Sequence, residues 1–98
     1  MKLKPGYADE YKRRHDDIWP ELSTLLREAG IGDYSIFLDE ETNTLFAVQK
    51  VDVASAGSQS LGHHPLVKKW WAYMADIMET NADLSPVAIP LPEVFYLD

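Results

Sequence analysis

The sequence predicts an α+β domain whose elements follow one another in the order β-α-β-β-α-β. Three observations carry that expectation: an apolar stripe of helical period early in the chain, two β-branched and aromatic runs around a polar turn, and a second helical stripe followed by a closing run that alternates. At 98 residues there is material for one domain spanning residues 1–98, because a second would have almost nothing to bury.

Met1 to Lys4 reads as the end of a strand, stopped by Pro5-Gly6, where a ring-locked φ meets a permissive glycine. Beyond it, Tyr7, Tyr11, His15, Ile18, Leu22, Leu25 and Ala29 fall at spacings of three and four, one stripe on a helix, with Gly30 placed as its stop. Asp9, Glu10, Lys12, Arg13, Asp16 and Asp17 are expected to face water. Pro20 interrupts this stretch, since it cannot donate to the carbonyl of Asp16 and its ring presses on that carbonyl, so a kink or break is expected near residues 15–19.

Tyr34 to Leu38 and Thr44 to Val53 then read as the strands of a hairpin turning through Glu40-Glu41-Thr42-Asn43. Period-two alternation sends Tyr34, Ile36 and Leu38 to one face and Phe37 to the other, and sets Phe46 and Val48 against Leu45 and Ala47. The stretch from Ala54 to Gly62 is of loop composition. A second helix is expected from Pro65 to Met78, with Leu66, Trp70, Tyr73 and Ile77 on one stripe and Trp71 and Met74 beside it. After a proline-punctuated connection, Val94 and Tyr96 alternate against Phe95 and Leu97 as a last strand over residues 93–97. This order is the split βαβ, ferredoxin-like arrangement: a four-stranded antiparallel sheet with two helices on one face. Its other face carries Phe and Val side chains, so a second copy packing sheet to sheet is expected to cover it.

Composition narrows the function. Nine Lys and Arg against sixteen Asp and Glu give a net charge of −7, which repels nucleic-acid backbones and anionic membrane surfaces. Cysteine is absent, so thiolate metal sites and cysteine nucleophiles are excluded. No apolar run approaches the ~18 residues of a membrane span, and MKLKPGYADEY lacks the apolar core of a secretory signal, so a soluble cytoplasmic protein is expected.

The first candidate for chemistry is His15, an ionisable ring on the inward stripe one turn after Tyr11. It reads either as a core histidine satisfied by a backbone carbonyl or as a proton-transfer group in a pocket wall shared with Tyr11. Trp70-Trp71 with Tyr73 is the second feature, because adjacent helical tryptophans diverge by ~100° and cannot both enter one small core. One is expected to line a cavity or an interface, where aromatic faces suit the C–H faces of sugars and indole and phenol donors suit hydroxyls. Tyr34 has the same two readings. His63-His64 lacks the spacing that would converge metal ligands, and no metal or cofactor motif is present, phosphate-binding glycine loop included. Lys12-Arg13-Arg14 and Lys68-Lys69, interleaved with acids, read as solvated faces.

Together, YKRRHDDIWPEL, DYSIFLDEETNTLFAV, KKWWAYMADIM and SPVAIPLPEVFYLD resemble the L-rhamnose mutarotase family over nearly the whole chain. The resemblance implies a dimeric ferredoxin-like enzyme of the cytoplasm that interconverts the anomers of L-rhamnose without cofactor or metal. It implies that His15 is the proton donor, protonating the ring oxygen, and that Tyr11, Tyr34, Trp70 and Trp71 bind the sugar. Two departures are visible: the family's first strand begins upstream of Met1, and residues 54–64 are glycine-rich where better helix formers are expected. Competing readings are a cofactor-independent oxygenase of the same dimeric fold and a non-catalytic sugar-binding protein.

Overall fold

Pro20 decides the layout of the first third of the chain. In the computed structural model, which describes residues 1–51 and 61–98, the early stripe is divided between α1 (Ala8–Asp16) and α2 (Pro20–Glu28). Trp19 stands between them with ψ at 128°, the extended conformation that a following proline imposes, and Pro20 opens α2 where its missing N–H costs nothing. The expected discontinuity is therefore a complete break, and the described residues hold three helices in place of two. In α1, Asp9 and Glu10 occupy the first turn and Arg13, Arg14 and His15 the last, the polarity that complements the helix dipole. Gly30, at φ +84°, ends α2 in the left-handed region that glycine enters without penalty.

The hairpin forms as read. Strands β1 (Ile31–Asp39) and β2 (Thr44–Val51) pair antiparallel, with Phe37 opposite Phe46 and Leu38 opposite Leu45. Its turn is held by Asp39, whose carboxylate accepts from the Glu41 N–H at 3.1 Å and the Thr42 hydroxyl at 3.1 Å, and by Asn43 at φ 57°. An irregularity between Gly32 and Ser35 contains Asp33 at φ 45°, a bulge that re-aims the start of β1. Ile36, Leu38 and Leu45 turn inward against the helices, whereas Phe37 and Val48 remain 60% and 59% exposed on the opposite face.

The helix α3 runs Pro65–Met74, four residues short of its expected end. The chain then takes an extended path beside the N-terminus: the Lys4 N–H donates to Ile77 O at 2.8 Å, the Glu79 N–H to Lys2 O at 3.0 Å, and Leu3 bridges Met78. On its other side Lys2 bridges Thr44, with the Leu3 N–H donating to Asn43 O at 2.9 Å. The sheet among the described residues is the two-stranded hairpin, and these neighbours join it by single bridges.

The expected last strand is corrected. Met78, not the run Val94 to Leu97, lies against Leu3, and residues 87–98 are exposed with no regular structure. Pro86, Pro90 and Pro92 remove ladder donors on the way to that run. The ends of the expected second hairpin strand, Asp52 and Val53, and most of the Ala54–Gly62 loop lie outside the described residues.

The core forms where α1, α2 and α3 meet the inward hairpin face, with Leu22, Leu45 and Met74 nearly inaccessible and Ile77 at 0% exposure. Truncation there leaves a void with few ways to collapse. Ile77→Ala is expected to destabilise the fold by about 2–5 kcal/mol, read as a lower denaturation midpoint at unchanged slope.

Candidate functional site

Helix α1 presents two consecutive residues to different parts of α3 and its end, because successive side chains diverge by ~100°. Arg14 points at the end of α3. Its Nη1 donates to Asp76 Oδ1 at 2.8 Å and to the Tyr73 carbonyl at 2.8 Å, its Nη2 to Asp76 Oδ2 at 3.2 Å, and its Nε to Glu10 Oε2 at 2.9 Å. The guanidinium carbon also stands 4.6 Å over the Tyr73 ring. Arg14 is 9% exposed, so the reading of Lys12-Arg13-Arg14 as a solvated face holds for its neighbours and fails for Arg14. Donation to Asp76 strengthens the charged state of Arg14, and the same bonds lower the pKa of Asp76.

His15, one position on, turns toward α3 and the cleft. Its ring stacks on Tyr11 with centroids 4.3 Å apart and meets Trp70 edge-on at 5.4 Å. Trp19 closes the other side of Trp70, also edge-on, at 5.1 Å, and Tyr73 lies 5.6 Å from both indoles. The stacked Tyr11–His15 pair and the edge-on contacts of Trp70 follow aromatic quadrupoles. His15 Nδ1 lies 3.1 Å from the Tyr11 carbonyl oxygen. The ring is half-buried, and loss of water pushes its pKa below 6.5, opposed by the Tyr11 carbonyl and the charge of Asp16. Burial, helped by the nearby Tyr34 phenol, raises the pKa of the Tyr11 phenol, which therefore keeps its proton near neutrality.

All five residues singled out in the sequence, Tyr11, His15, Tyr34, Trp70 and Trp71, line one cleft of about 800 Å³ between α1, α3 and the inward face of β1. That volume is within the range of small-molecule sites. Trp70 is buried and Trp71 half-buried, so the divergence expected of adjacent tryptophans divides them between core wall and cleft. Tyr34 stands at the open side, 36% exposed. His64 caps α3, its Nδ1 accepting from the Leu66 N–H at 3.1 Å, which gives one member of the His63-His64 pair a structural role.

Sequence reasoning missed two residues. Arg14 was hidden among charged neighbours, although its position one step before His15 and four after Glu10 is a signal. Trp19, four positions after His15 and just before the proline, packs edge-on against Trp70.

Comparison with known proteins agrees along the chain. Residues 1–97 match the family model described as L-rhamnose mutarotase. An L-rhamnose mutarotase of Bacteroides thetaiotaomicron is 61% identical over 98 residues, covering 100% of this chain and 93% of that protein. One from Sinorhizobium fredii is 61% identical over 97 residues, covering 99% and 92%. The crystal structure of an L-rhamnose mutarotase from Formosa agariphila superposes with a TM-score of 0.91 at 57% identity, covering 100% of this chain and 93% of that one.

The Arg14 contacts tie α1 to α3 and thereby set the wall on which His15 rests. Arg14→Met keeps an apolar stem and removes the hydrogen bonds, so it is expected to cost about 1–3 kcal/mol in chemical denaturation, with weaker near-ultraviolet dichroism from the tryptophans.

Proposed function

The chain belongs to the L-rhamnose mutarotase family and is an isomerase interconverting the anomers of L-rhamnose, and from that premise we propose that His15 moves the proton while Tyr11, Tyr34, Trp70 and Trp71 hold the sugar. What supports the assignment of roles is a single observation: five residues drawn from three elements line one cleft, with an imidazole at the aromatic wall. The family favours this reading over an oxygenase of the same fold and over a non-catalytic sugar-binding protein.

Anomers exchange when the pyranose opens. The anomeric hydroxyl loses its proton, the bond between C1 and the ring oxygen breaks, and the ring oxygen gains a proton. The free aldehyde turns about the C1–C2 bond and recloses on its other face. Aromatic rings suit the task because they cover C–H surface and the 6-methyl group without fixing the hydroxyls that must reorient. An imidazole titrating near neutrality supplies general acid–base catalysis of roughly 10²–10⁴-fold.

The same reading includes a wider assembly. Single bridges from residues 2 and 3 to Thr44 and Met78 support a ferredoxin-like reading in which the complete sheet is four-stranded. Its open face, with Phe37, Phe46 and Val48, and the exposed run Val94 to Leu97 are what a second copy would cover in a sheet-to-sheet homodimer. Location in the cytoplasm comes with the family reading. Among the described residues no helix is long and apolar enough to cross a membrane.

Two sets of variants check this. Saturation transfer between the anomeric proton signals of L-rhamnose is expected with catalytic amounts of the protein, to fall by about 10²–10⁴-fold in His15→Ala while thermal melting shows the variant folded. Tyr34→Phe, at the open side, is expected to raise KM by about 2–12-fold, the worth of one hydrogen bond, with little change in kcat. Sedimentation is expected to give twice the chain mass, and Phe46→Glu the single-chain mass with unchanged far-ultraviolet dichroism.

A further inference from the structure

One nitrogen of the His15 ring has its role fixed by the backbone. Nδ1 lies 3.1 Å from the carbonyl oxygen of Tyr11, and a carbonyl only accepts, so in the neutral ring Nδ1 carries the hydrogen and Nε2 bears a lone pair. The stack on Tyr11 and the edge contact with Trp70 hold the ring in this orientation. Taking the mutarotase reading as its basis, we propose that His15 is the base of the reaction as well as its acid: bare Nε2 takes the proton from the anomeric oxygen and delivers the same proton to the ring oxygen.

The step balances without a second group. The O1–H bond breaks and its proton passes to Nε2, and the electron pair left on O1 forms the second C1–O1 bond. The C1–O5 bond breaks with its pair going to O5, and O5 takes the proton from Nε2. The imidazole ends as it began and the sugar is the open aldehyde. O1 and O5 are bonded to the same carbon, so they are close enough for one nitrogen to serve both in turn. Reclosure on the other face runs the same steps backwards.

The surroundings of the ring favour this assignment over an imidazolium working with a separate base. From its own helix Tyr11 and Asp16 face it, and from α3 Trp70, which does not titrate. The cleft's other walls carry Tyr34, Asp33 and Glu40 from the hairpin and Arg27 from α2. Asp16 is paired with Lys12 at 2.8 Å and Asp33 with Lys50 at 3.3 Å, and the buried Tyr11 phenol holds its proton. Burial outweighs the attraction of Asp16 for a charged imidazole, so the resting ring near neutrality is the neutral one.

The sign of the pH dependence separates the two mechanisms. A base must be unprotonated at the start, so activity is lost as pH falls through the His15 midpoint; an acid must be protonated, so activity is lost as pH rises through it. The experiment follows anomer exchange by saturation transfer in L-rhamnose from about pH 5 to about pH 8, across the range of histidine titration, with the uncatalysed rate subtracted. Nitrogen-labelled histidine, its signals assigned against His15→Gln, reports tautomer and midpoint in the same samples. Expected are a single limb rising to a plateau, a midpoint below 6.5 that coincides with the His15 titration, and a neutral ring protonated on Nδ1. A rate that falls as pH rises through that midpoint, a bell-shaped profile, or a neutral ring protonated on Nε2 would overturn the proposal. No acceleration at any pH by folded protein would overturn the mutarotase reading itself, and this inference with it.

Discussion

The arrangement of the cleft depends on one buried cation. Arg14 joins α1 to the end of α3 through Asp76 and the Tyr73 carbonyl while Glu10 holds its inner nitrogen. Burying a charge is ordinarily expensive, but here both carboxylate partners stay in touch with water, so the desolvation falls on the guanidinium alone, the most weakly hydrated of the cationic groups. Its planar fork matches the Asp76 carboxylate in two bonds, and its face covers Tyr73, so distance and rotation between the helices are both fixed. His15 follows in the chain, and its contact with Trp70 is a consequence of where Arg14 is held.

Pro20 supplies the second constraint. It ends α1 early and leaves Trp19 between the helices, where its ring closes edge-on against Trp70. The aromatic wall therefore has no loose end: Tyr11, His15, Trp70, Trp19 and Tyr73 each touch the next, and the chain of rings is pinned by Arg14 beneath Tyr73. A wall of this kind excludes water from one side of the imidazole, and that one-sided dryness lowers its affinity for a proton.

Features with a local cause were legible in the sequence. The proline break, the Gly30 stop and the two faces of the hairpin each follow from stereochemistry within a few residues, and the five cleft residues announced themselves by polar tips on an apolar stripe or by adjacent tryptophans. Features that need a partner far along the chain were not. Near Arg14 the sequence offers little beyond its place four after Glu10, and the partner that sets it apart from Arg13, Asp76, is 62 positions away. The same holds for the final strand. Val94 to Leu97 alternates as a strand should, but alternation states only that two faces want covering, and the place beside Leu3 was taken by Met78, whose run follows a helix and advertises no period of its own.

The cleft is spare for an enzyme site because the reaction asks little. Anomers exchange unaided in water, so the barrier to be lowered is modest, and one well-placed proton carrier is commensurate with it. Aromatic surface covers C–H faces of a sugar without fixing the hydroxyl at C1, whose orientation is what differs between the anomers. On the proposed reading, a neutral imidazole beside the aromatic wall, with Nδ1 held by the Tyr11 carbonyl, leaves the open aldehyde room to turn before O5 closes on C1 again.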